Sequence, residues 1–197
     1  YDNIPLASYL ALRGRCRSCA RPIPIRYFVV EALAAALFAC SAYQFFLLNA
    51  PAQPGAASAM PWILMFAQMF LVADLLCIAF TDLETWYIPV ETTWPWILVG
   101  LLLALAAPEL HLSRTRWLPE GSAAPWADNL NALIDSFQGL VLGAGVPWLV
   151  GFVCILLLRK EGMGSGDSHL LGMLGAILGW KPALLVFFLG IFIGCAL

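Results

Sequence analysis

In Met69-Phe70-Leu71-Val72-Ala73-Asp74-Leu75-Leu76-Cys77-Ile78-Ala79-Phe80-Thr81-Asp82, a nearly unbroken apolar run ends on two polar residues. The run reaches back to Met60 and holds a single charge, Asp74. That length matches the ~20 residues a helix needs to cross a bilayer. Working outward, residues 27–48 form a similar run with Glu31 near its start, and 91–107 and 136–158 form two more. Trp94, Pro95 and Trp96 open the third, as suits an aromatic-rich interface. Gly139, Gly143, Gly145 and Pro147 loosen the fourth. Residues 170–180 are too short to cross, and 181–197 begin a further span. The expected fold is all-α, a polytopic helical membrane protein. Residues 50–59 read as a loop, and 108–135 as an aqueous loop with room for a short amphipathic helix.

Composition agrees. Of 197 residues, 62% are hydrophobic and 11% charged, and mean hydropathy is +0.86. Soluble domains carry roughly 25% charged residues, so lipid must cover this much apolar surface. The net charge of −2 says nothing about nucleic acid, but there is no basic stripe of the kind that tracks phosphates, so no nucleic-acid partner is expected. The chain opens at Tyr1, without a signal peptide, and closes inside an apolar run, as expected of a segment of a longer protein. Arg13, Arg15, Arg17, Arg21 and Arg26 precede the first span, and Arg159 and Lys160 follow the fourth. The positive-inside rule puts both segments in the cytoplasm. Counting spans from there places Asp82 and Asp167 on that same face.

Asp167 closes the turn Gly164-Ser165-Gly166-Asp167, and the expectation is that the two glycines supply backbone conformations closed to other residues. Carboxylates at a membrane edge are costly and are usually kept for function. Two on one side point to acid–base chemistry shared by a pair. The simpler alternative is that each caps a helix start. Asp74 reads as a structural hydrogen-bonding group, Glu84 and Glu91 as solvated interface carboxylates, and His169 as a polar residue at a helix start. Cys40, Cys77, Cys154 and Cys195 sit singly in apolar spans and read as small buried hydrophobes. Cys16-Arg17-Ser18-Cys19 differs: a Cys-x-x-Cys knuckle in a reducing compartment is half of a tetrahedral zinc site, with a redox pair as the alternative. Residues 1–26 are thus expected to form a cytoplasmic loop region holding half a zinc site, and 27–197 the helical core.

With these residues in hand, the chain resembles the bacterial prepilin peptidases, or type IV leader peptidases, of the GxGD aspartyl protease class. Asn3-Ile4-Pro5 followed by Cys16 and Cys19 resembles the end of that family's cytoplasmic loop, and Arg26-Tyr27 with Glu31 its next helix start. Asp82 with Ile88-Pro89 is similar to the first catalytic motif, an aspartate followed seven positions later by proline. Glu161-Gly162-Met163-Gly164-Ser165-Gly166-Asp167, with Leu170 and the stretch 175–180, is similar to the second. Val90 and His169 depart from the acid and the lysine common at those places.

The resemblance implies Asp82 and Asp167 as the catalytic pair, with Gly164, Gly166 and Pro89 in supporting roles. It implies zinc on Cys16 and Cys19, with two further ligands outside this segment. The substrates implied are prepilins or pseudopilins, which dock an apolar N-terminal helix in the bilayer of the bacterial inner membrane and leave a basic leader in the cytoplasm. Many members also N-methylate the new N-terminus with S-adenosylmethionine. Two alternatives stand beside this reading. One is a protease of the presenilin or signal-peptide-peptidase type, which shares the Gly-x-Gly-Asp motif. The other is an ion-coupled transporter using Asp74, Asp82 and Asp167 at broken helices.

Overall fold

A computed structural model describes residues 6–48, 60–106, 126–159 and 163–196. Among them the chain forms seven helices: α1 Ala7–Ala11, α2 Ile25–Leu48, α3 Met60–Thr85, α4 Val90–Ala106, α5 Trp126–Leu158, α6 Ser165–Leu178 and α7 Trp180–Ala196. The expected all-α class is what is found. Three helices are long and apolar enough to cross a membrane, within Ile25–Leu47, Trp62–Thr85 and Trp126–Leu158. The third and last runs appear as shorter apolar helices, Val90–Ala106 and Trp180–Gly194. Large apolar side chains face outward along them, Phe70, Trp148 and Phe192 each more than 60% exposed. That surface requires a lipid solvent. The calls on 50–59 and on 108–125 lie outside the described residues.

The chain divides into two compact units, Tyr1–Leu83 and Glu84–Leu197. In the first, α2 and α3 carry the apolar mass, and Phe45 at the end of α2 packs on Trp62 at the start of α3, ring centroids 4.8 Å apart. Before α2 the backbone makes a tight hairpin, with a bridge between Arg15 and Pro22. Gly14 at φ 69° turns the chain there, against the Tyr9 hydroxyl. Tyr9 donates to the Ile23 carbonyl at 3.3 Å and packs on Phe28 with tilted rings, while Glu31 accepts the Leu6 N–H at 2.9 Å. Glu31 thus serves an orphan amide at the start of α1 and fastens the hairpin to α2.

In the second unit α6 is central. Met173 and Ala176 are fully buried, and small residues let neighbouring backbones close on the helix. Gly139 of α5 lies against Gly175, Gly143 against the Leu171 carbonyl, and Gly151 near Met163, so α5 and α6 run antiparallel. Ile88 beside Gly166 and Gly100 beside Ala176 set α4 parallel to α6. At Gly179, φ 90° and ψ 172° end α6, a conformation open only to glycine. Pro182 then falls in the first turn of α7, where a missing N–H costs nothing.

Two expectations need correction. Residues 126–135 are not loop: they are the first turns of α5, in which Ala127, Ala132 and Asp135 are buried. Their polar groups sit among apolar residues at helical rather than random intervals, so the helix extends beyond the purely apolar run. Cys40 and Cys77 are not buried either; both are exposed and Cys154 is intermediate. A thiol is apolar enough to face lipid, so burial is not needed to keep it from water.

Candidate active site

Gly164 is the N-cap of α6, and Asp167 is the third residue of the helix. The positive end of the helix dipole favours a carboxylate in that first turn. One oxygen of Asp167 lies 3.5 Å from the position a Cβ on Gly164 would take, so the side chain folds back over the N-cap. The glycines work differently from expectation. Gly164 has φ −70° and ψ 146°, extended backbone that any residue adopts, and Gly166 is helical. What Gly166 provides is space: a Cβ there would stand 2.7 Å from the Cβ of Ile88. Real atoms cannot approach so closely, so the absence of a side chain is what lets Ile88 seat on the first turn of α6.

Ile88 belongs to the segment that leaves α3. That helix ends at Thr85, Trp86 turns the chain at φ 55°, and Ile88 is buried. Pro89 fixes its own φ and directs α4: its carbonyl accepts the Thr92 hydroxyl at 2.8 Å and the Thr92 N–H at 3.3 Å. The Thr93 hydroxyl donates to Val90 at 2.8 Å, and Thr93 is fully buried. The spacing from Asp82 to Pro89 therefore has a physical content. It spans the last turn of α3, one left-handed residue, and the apolar contact on Gly166.

Asp82 lies in the last turn of α3, half-buried. A helix C-terminus is the negative end of the dipole and presents carbonyls, not amides. A carboxylate gains nothing structural there, so the helix-start cap fails for Asp82. It belongs to the first compact unit and Asp167 to the second. Asp74 and Asp135 each place one oxygen in a buried position without a hydrogen bond, while each side chain makes another interaction. His169 Nδ1 lies 2.8 Å from the Ser165 carbonyl. Because a carbonyl only accepts, Nδ1 is the donor in that contact. The ring faces Trp94 at 6.3 Å.

Cys16 and Cys19 stand on the hairpin of the first unit, neither in a disulfide, intermediate and exposed respectively. The Cys16 N–H donates to Arg21 and the Ala20 N–H to the Cys16 carbonyl, both at 2.9 Å. Among the described residues no group of three or more acidic, histidine or cysteine ligands gathers. Sequence reasoning missed Glu31 as a cap and the buried pair Asp135 and Ser136. The polar residues of 126–135 were the available signal for the latter.

A helical membrane protein with Gly-x-Gly-Asp at a partly exposed helix start resembles a class, the polytopic peptidases of GxGD type. Comparison with known proteins narrows it. Residues 69–197 match the type IV leader peptidase family and residues 1–45 the bacterial peptidase A24 N-terminal domain. The chain belongs to the type IV leader peptidase family. It is 33% identical over 194 residues to a prepilin leader peptidase/N-methyltransferase of Neisseria gonorrhoeae, covering 98% of this chain and 56% of that one. Proteins of the same name from Myxococcus xanthus and Klebsiella pneumoniae are 32% and 33% identical, over 93% and 91% of this chain and 44% and 64% of theirs. The chain thus spans about half the length of the curated relatives it matches. No solved structure matches it.

Proposed function

We propose that this chain is the core of a membrane-embedded aspartyl endopeptidase that removes the leader from type IV prepilins or pseudopilins, with Asp82 and Asp167 as one catalytic unit. The observation that carries this reading is the seat of Ile88 on Gly166. It joins the segment leaving Asp82 to the turn bearing Asp167, the two motifs of the family. One carboxylate takes a proton from water, and that water attacks the scissile carbonyl. The other, protonated, stabilises the developing oxyanion and returns a proton to the leaving amine. The seven basic residues flanking the inner segments support an active site facing the cytoplasm of the bacterial inner membrane. Purified full-length protein in detergent is expected to cut a prepilin at one bond; an intact prepilin after incubation with folded protein overturns the reading.

Zinc belongs to the same proposal. Two cysteines on one tight turn, neither in a disulfide, fit half of a tetrahedral site, with the other pair supplied from outside this segment. Bound there, zinc contributes folding energy to the hairpin rather than chemistry. Metal analysis of the full-length protein should find about one zinc per chain, reduced by Cys16→Ser; full activity without zinc contradicts this. The relatives' names also carry an N-methyltransferase activity, and S-adenosylmethionine would be its methyl donor. The groove of about 420 Å³ lined by Phe137, Gln138, Val141, Leu142 and Trp180 does not fit that cofactor. It offers one amide and no acid for the ribose hydroxyls.

A further inference from the structure

Asp135 and Ser136 are 1% and 0% exposed on a helix that spans the membrane. Inward polar groups in such a helix need partners, and an acid needs donors. Ser136 has its partner: its hydroxyl donates to the Ala176 carbonyl at 2.6 Å. Ala176 lies in the last turn of α6, whose carbonyls lose their intrahelical donors where Gly179 breaks the chain.

One turn beyond Ser136, Gly139 touches both Gly175 and Gly179. Because α5 and α6 run antiparallel, one turn back from Gly139, at Asp135, is level with the first turn of α7. The amides of a helix's first turn and the carbonyls of its last lie outside the intrahelical ladder, so both ends at the break draw partners from elsewhere. Residues 176–183 are Ala-Ile-Leu-Gly-Trp-Lys-Pro-Ala, with no Ser, Thr, Asn or Asp to cap the new helix from within. Gly179, in the N-cap place, has no side chain. The Ala183 N–H reaches Gly179 at 3.5 Å, and Pro182 has none to offer.

We propose that Asp135 and Ser136 form a clasp on the α6–α7 break, Ser136 serving the last carbonyls of α6 and Asp135 accepting the first N–H groups of α7, at Trp180 and Lys181. The positive end of the helix dipole offsets the buried carboxylate. The clasp lies at the far end of the helix whose first turn bears Asp167, so it fixes how far along its axis that helix sits. On the peptidase reading above, Asp135 and Ser136 are positioning residues that touch no reacting atom.

Hydrogen exchange of the full-length protein in nanodiscs, read over residues 178–184, tests the contact without reference to activity. Asp135→Ala should speed exchange there by about tenfold, while Asp135→Asn, which still caps, stays within about threefold of wild type. Ser136→Ala should also raise exchange, and serves if Asp135→Ala does not insert. Prepilin cleavage should follow the same order, with kcat for Asp135→Ala lowered by about 10- to 100-fold at unchanged KM and largely restored in Asp135→Asn. Unaltered exchange in both alanine variants overturns the clasp. So does an inactive Asp135→Asn with protected amides, which would make the carboxyl an acid or base in its own right. If wild-type protein does not cleave prepilin, the peptidase reading fails, and the exchange data still decide the clasp.

Discussion

A Cβ on Gly166 would stand 2.7 Å from that of Ile88, an atom fixed to backbone that cannot swing aside. Gly166→Ala must therefore push α6 and the Ile88-Pro89 segment apart, at a cost of about 1–3 kcal/mol for such overpacking. Gly164→Ala meets only the end of the Asp167 side chain at 3.5 Å and keeps an ordinary φ, so its cost should stay within about 0.5 kcal/mol. Thermal unfolding and prepilin cleavage of the two variants should differ sharply; equal effects would contradict the seating of Ile88. The motif itself was visible in the sequence, but the division of labour within it was not. Spacing cannot tell a glycine needed for φ from one needed for room. The same holds for Glu31, legible as an acid near a helix start and not as the cap of a different helix, because its partner lies 25 positions away.

The seam between α5 and α6 is built from backbone contacts, Gly139 on Gly175 and Gly143 on Leu171. A methyl group on Gly139 or Gly175 has no space to enter, and each alanine variant should lose about 2 kcal/mol or more and much of its cleavage. Gly145 and Gly190 face open space, where alanine should be neutral or stabilising by up to about 1 kcal/mol through helix propensity. Denaturant unfolding in detergent separates the two sets, and a destabilised Gly145→Ala would contradict the packing. At this scale α2 and α3 were legible because each is one long apolar run. The start of α5 was not, because its polar residues read as solvent-facing when Asp135 and Ser136 are in fact buried, Ser136 on the Ala176 carbonyl of α6. A polar residue buried by a tertiary partner leaves no periodic mark of that partner. The break at Gly179 was legible only as a length too short to cross.

Across the whole molecule, charge sets the expected arrangement. Seven basic residues lie in two segments, one running up to the first turn of α2 and one following α5, against two in residues 108–125. Cysteines introduced at Ser18 and Arg159, both exposed, should react with an impermeant thiol reagent only from the cytoplasm, and one at Ser122 only from outside. Labelling at Ser18 and Arg159 from opposite faces would break the shared-face requirement for Asp82 and Asp167. That requirement rests on counting spans, which works from sequence because bilayer thickness fixes helix length. The approach of the two carboxylates does not, because proximity between distant positions leaves no mark in the spacing of the residues. The most direct test is the rate of prepilin cleavage by full-length Asp82→Asn, Asp167→Asn and the double variant, with Asp74→Asn as control. An amide keeps the shape of each side chain, so insertion and folding should survive. Each single dyad variant should lose on the order of 10³-fold or more, with the double variant little worse, as for groups that act as a unit, and Asp74→Asn should keep most activity. A rate near wild type in either Asp82→Asn or Asp167→Asn would contradict the account.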